Sequence, residues 1–174
     1  MIPGQTSAGR PVEPDPGLFG PASVSWRIHG DPAMALGGLR ALMLQALHPL
    51  AMAGVVQHSQ YRDDPWGRLA RTGEYMAAIT YGTTSEALDA AARIRAVHER
   101  IAGNEPESGV AYRADDPDLL LWVHCAGTDS FLTAYRRCGG RLSRADADAY
   151  VAEQVRAAVL VGVPQAACPA DCRA

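Results

Sequence analysis

With 174 residues, 48% of them apolar, the chain has the size of one domain and enough apolar side chains for a core. A net charge of −3, with arginine as the only basic residue besides histidine, gives no reason to expect nucleic acid as a partner. Cys125, Cys138, Cys168 and Cys172 form no C-x-x-C pair and no C-x-x-C-H haem attachment site, so reduced thiols in a cytoplasmic protein are expected.

Residues 1–17 are rich in proline and glycine and lack a basic start followed by an apolar stretch. They read as a flexible or extended arm, not a signal peptide. "AMALGGLRALMLQALHPLAMAGVV", residues 33–56, is the most membrane-like stretch. Arg40, Gln45, His48 and Pro49 interrupt it, which favours a buried core helix over a transmembrane span. That helix is predicted to start near Asp31 as N-cap with Pro32 at its first position. Pro49 cannot donate to the helical ladder, so a kink or a new helix is expected near His48.

The next helix is predicted from about Gly67 to Thr80, opened by Asp64 and Pro65. Thr83 and Glu86 have capping-box spacing and start a helix expected to reach about Ala102, with Gly103 as its stop. "NEPESGVAYRADD" reads as a polar connection. Asp116 and Pro117 open a long helix to Gly139, and Ser143 with Asp146 caps a last one from about Arg144 to Val161. Five or six helices and little else make the fold class all-α.

Of the five histidines, none forms H-x-x-x-H or H-E-x-x-H, so no zinc-hydrolase motif is present. His98 shares a helix face with Ala87, Ala91, Ile94 and Ile101, and so points inward among small apolar residues. It is either a core histidine bonded to a carbonyl or an axial ligand to iron. His124, flanked by Leu120, Val123, Gly127 and Phe131, allows the same two readings. Arg68 and Thr72, four apart, fall on one helix face that Tyr75 and Ile79 continue. A fixed cation and hydroxyl can polarise a small bound oxidant. Alternatively, Arg68 pairs with Asp63, Asp64 or Glu74 and ties a loop down, and the mechanics of the residues alone favour this reading.

Four stretches, taken in order, carry a resemblance: "GGLRALMLQALHPLAMAGVVQHSQYRDDPWGRLARTGEY", "AARIRAVHERIAG", "DPDLLLWVHCAGTDSFLTAYRR" and "LSRADADAYVAE". Together they resemble the oxygenase family that joins latex-clearing protein (rubber oxygenase) and the mycophenolic-acid pathway oxygenase MpaB, closest to its bacterial MpaB-like branch. The resemblance covers residues 18–163, leaving 164–174 as an irregular tail. It implies a single all-helical oxidoreductase domain with a globin-like core. Non-covalent b-type haem and dioxygen would act there on a hydrophobic, isoprenoid-like substrate.

On the same resemblance, the pattern Ile94-Arg95-Ala96-Val97-His98 makes His98 the proximal iron ligand, and Arg68 with Thr72 the distal pair. The pattern departs at Arg71, where a latex-clearing relative has a lysine able to cap the iron; a guanidinium does not readily deprotonate to do so. Asp63 and Asp64 stand at the wrong distance for that branch's distal base. Family members continue beyond the helix holding Tyr150 and Glu153, so the domain is expected to be incomplete at its C-terminus. Two other readings remain. His48, His58 and His124 could gather around non-haem iron, or the chain could be a non-catalytic helical interaction remnant that self-associates through exposed apolar helices.

Overall fold

Local capping chemistry sets most helix starts. Thr83 Oγ1 accepts from the Glu86 amide while the Glu86 carboxylate accepts from the Thr83 amide, and Ser143 and Asp146 repeat the arrangement. Asp64 and Asp116 accept from the first free amides of their helices, and the prolines that follow lack only an amide the helix would not use. The computed structural model describes residues 14–173; most of the predicted arm, residues 1–13, lies outside the described residues.

Seven α-helices occur among the described residues. They are α1 (Val24–His29), α2 (Met34–Gln45), α3 (Pro49–His58), α4 (Pro65–Tyr81), α5 (Thr84–His98), α6 (Pro117–Arg137) and α7 (Arg144–Val161). A small antiparallel hairpin, β1 (Ala102–Asn104) and β2 (Ala111–Arg113), joins α5 to α6, and a 3-10 turn (Gln165–Ala167) follows α7. The fold is predominantly α-helical.

Three boundaries differ from expectation. The six-residue α1 was not foreseen, because it is held by tertiary contacts: Glu153 of α7 accepts from the amides of Val24 and Ser25. Asp31 does not open α2 directly. It makes a preceding turn, accepting from the Ala33 amide at 2.8 Å, and the helix starts at Met34. The helix α5 ends at His98, short of Ala102, because residues 102–104 pair with 111–113 and the Tyr112 hydroxyl donates to Gln57 Oε1 of α3. At Pro49 a new helix begins, and α2 and α3 meet at 103°. No single described helix is long and apolar enough to cross a membrane, although that bent pair has the length and composition together.

The core is divided. Ile28, Leu132, Tyr135, Ala147, Tyr150 and Val151 form one cluster where α1, α6 and α7 meet. Ala53, Tyr112 and Leu119 fill the corner under the hairpin. Ile79, Ala87 and Ala91 lock α4 to α5, and Leu120, Ala158 and Val163 close the far side. Close approach of α2 to α6 depends on Gly37, where an added Cβ would stand 2.7 Å from Phe131 Cδ1. Arg40, which interrupts the apolar run, fastens the same pair by reaching Asp129 at 2.7 Å and Ser130 Oγ at 2.8 Å. The opposite face of α2 carries Leu36, Leu39 and Met43, and Leu47 follows the helix, each more than half exposed.

Candidate functional site

Between the core clusters lies a cavity of about 370 Å³, within the range of small-molecule sites. Its walls come from five helices. Gly38, Ala41, Leu42 and Gln45 face it from α2, and Leu69, Arg71, Thr72, Tyr75, Met76 and Ile79 from α4. Ile94 and His98 contribute from α5, and Leu120, Val123, His124, Gly127, Thr128 and Phe131 from α6. Gln154, Ala157, Ala158 and Val161 complete it from α7. The lining is mainly apolar, with polar groups at a few points. Glycine supplies part of the room: a Cβ on Gly38 or Gly127 would meet nothing nearer than the Phe131 ring, at 3.9 and 3.8 Å.

His98 ends α5 and turns its ring to this space. Its Nδ1 is buried without a hydrogen-bond partner. Burial lowers its pKa, against a smaller upward pull from Asp115, so the ring is held toward its neutral, ligating form. His124 lines the same cavity, and burial lowers its pKa too. Tyr75 is pushed up to about 12 by burial and stays protonated at neutral pH.

The two predicted distal residues are placed differently. Thr72 is on the cavity wall, its Oγ1 donating to the Arg68 carbonyl at 3.0 Å. Arg68 lies outside the lining. Its guanidinium has no carboxylate partner among the described residues, and burial lowers its pKa, with Tyr61 opposing and Arg71 assisting. Arg71 lines the cavity instead, and it is Arg71 that pairs with Asp64, at 3.4 Å.

His48, His58 and His124 are not brought together. His48 and His58 stand at the two ends of α3, about 15 Å apart by helical rise, packed on Trp122 and Tyr112 respectively. Among the described residues no three His, Cys, Asp or Glu side chains cluster as metal ligands, and the four cysteines are unpaired. His29 is a core histidine, with Nδ1 2.8 Å from Thr80 Oγ1 and Nε2 2.9 Å from the Tyr150 hydroxyl. Gln154 was missed. The signal was available, since it interrupts the apolar stripe of Ala147, Tyr150, Val151 and Ala158.

The predominantly helical domain encloses an apolar, ligand-sized cavity with two imidazoles in its wall. The chain belongs to the family described as ER-bound oxygenase mpaB/B'/rubber oxygenase, catalytic domain, whose model matches residues 26–174. An uncharacterised protein of Mycobacterium tuberculosis and one of Mycobacterium bovis are each 31% identical over 107 residues. That match takes in 62% of this chain and 42% of each relative, so it spans less than half of their length. No solved structure matches the chain.

Proposed function

We propose that the chain is a haem-dependent oxygenase domain that holds b-type haem in the cavity through His98. The observation that carries this reading is the His98 ring, facing an apolar cavity while its Nδ1 is sealed without a partner. A neutral imidazole so placed suits iron, and the bare helix faces at Gly38 and Gly127 leave room for a flat macrocycle. Haem, when bound, supplies dioxygen activation; the protein supplies position and field.

Within that division of labour, Thr72 places on the cavity wall a hydroxyl that now donates to the Arg68 carbonyl and that could donate to an oxidant bound by the haem. Arg68, one turn earlier, outside the lining and free of any ion pair among the described residues, would contribute a positive charge near a bound haem. Leu42, Met76 and Phe131 exclude water and receive an apolar, isoprenoid-like substrate. Four unpaired thiols support a reducing, cytoplasmic compartment.

An ultraviolet–visible spectrum of the expressed chain, before and after adding haemin, tests the proposal. The wild-type chain is expected to develop a Soret band that His98→Ala loses and His124→Ala keeps. A wild-type chain that takes up no haemin, or a His98→Ala spectrum identical to wild type, overturns it.

A further inference from the structure

Gln154 is the most buried polar side chain on the cavity wall, 5% exposed. Its orientation follows from hydrogen bonds whose direction is forced. Glu153 accepts from the amides of Val24 at 3.2 Å and Ser25 at 2.8 Å, and from Ser25 Oγ at 2.7 Å. An ionised carboxylate can only accept, so the Ser25 hydroxyl hydrogen points at Glu153. Ser25 Oγ then has only lone pairs to offer, and the Gln154 group 2.8 Å from it must be the NH₂. Ser25 is fully buried, so no solvent competes for its hydroxyl.

The other end of the amide, Oε1, is therefore turned away from Ser25. Among the described residues no donor reaches it, yet it is not one of the side-chain atoms sealed inside packed protein. The open space that Gln154 borders is the cavity. An amide oxygen with no protein donor, on a largely buried side chain, favours a ligand that brings one.

From this we infer that the ligand of the cavity carries a hydrogen-bond donor, an alcohol or N–H, on an otherwise apolar body, and that Gln154 Oε1 accepts from it. The inference rests on the cavity being the substrate site. Porphyrin carboxylates are acceptors and gain nothing from this oxygen, so it is the substrate that it selects. Arg95, one turn before His98, grips the Leu160 carbonyl, and Gln154 lies six residues earlier on α7. The helical rise separates Gln154 from Leu160 by about 9 Å along α7.

Geraniol and geranyl methyl ether share one apolar body and differ in the donor. Titrated calorimetrically into the purified chain, geraniol is expected to bind about three- to tenfold more tightly, the ratio one net hydrogen bond supplies. The volume-matched Gln154→Met should erase that preference. Ser25→Ala, which frees the amide to present NH₂ to the ether oxygen, should narrow it. Equal binding of the two ligands to the wild-type chain overturns the inference, as does an undiminished preference in either variant. The titration runs equally on haemin-loaded and colourless chain, so a failed haem reading leaves it decisive. Binding of neither ligand overturns the apolar-cavity reading together with this one.

Discussion

Arg95 of α5 donates from Nη1 to the backbone carbonyl of Leu160, in the last turn of α7. That carbonyl is one of the four that a helix leaves without an internal partner, and a guanidinium there also answers the partial negative charge of the helix end. The contact fastens the helix that carries His98 to the helix that carries Gln154. Arg95→Leu should lower stability by about 1 kcal/mol, the low end for a charged donor at an exposed site. It should also weaken haemin uptake more than the same loss of stability does elsewhere. A chemical melt beside a haemin titration separates the two effects. Uptake that merely follows stability makes Arg95 structural.

Neighbouring glycines in α2 should respond in opposite ways. Gly37→Ala puts a methyl group 2.7 Å from Phe131 Cδ1 and 3.1 Å from its Cα, so the backbones of α2 and α6 must separate. Such overpacking costs about 1–3 kcal/mol. Gly38→Ala meets nothing within 3.8 Å and gains helix propensity, so it should stabilise the chain by up to about 1 kcal/mol. It would do so while filling part of the cavity, and haemin affinity should fall as the melting temperature rises. Thermal melts and haemin titrations of the pair check both signs.

These contrasts show where sequence patterns suffice. The Thr83–Glu86 and Ser143–Asp146 boxes, and the Asp-Pro starts at 64–65 and 116–117, are local, and all four open helices as spacing implies. The hairpin escapes because its strands are three residues long and are stabilised from α3 by the Gln57–Tyr112 bond. The face holding Thr72, Tyr75 and Ile79 is legible from periodicity, and all three line the cavity. Arg68 sits on that face too, but spacing does not set how a helix end is rolled against its neighbours, and Arg71 takes the wall position. His29 depends on partners more than fifty residues away, which no local pattern contains, whereas Gln154 is marked locally by its break in the apolar stripe of α7 and only its Ser25 partner is distant.

The His29 network sets the acid limit of the fold. Its neutral ring satisfies both hydroxyls in either tautomer, because Thr80 and Tyr150 can each give or take a hydrogen bond. Burial lowers its pKa to about 4, and burial moves His98 and His124 in the same direction. A depressed histidine pKa means that the unfolded chain binds the proton more readily. Stability is therefore full above the ordinary histidine pKa of about 6.5 and is lost as pH falls toward 4, by up to about 3 kcal/mol from His29 alone. Urea midpoints between pH 7 and 4 should fall in that window. Tyr150→Phe removes one partner without opening a cavity and should cost about 1–3 kcal/mol at pH 7. His29→Gln should be less stable at pH 7 yet flatter in its acid response. A pH profile as steep in His29→Gln as in wild type would assign the acid sensitivity to other groups.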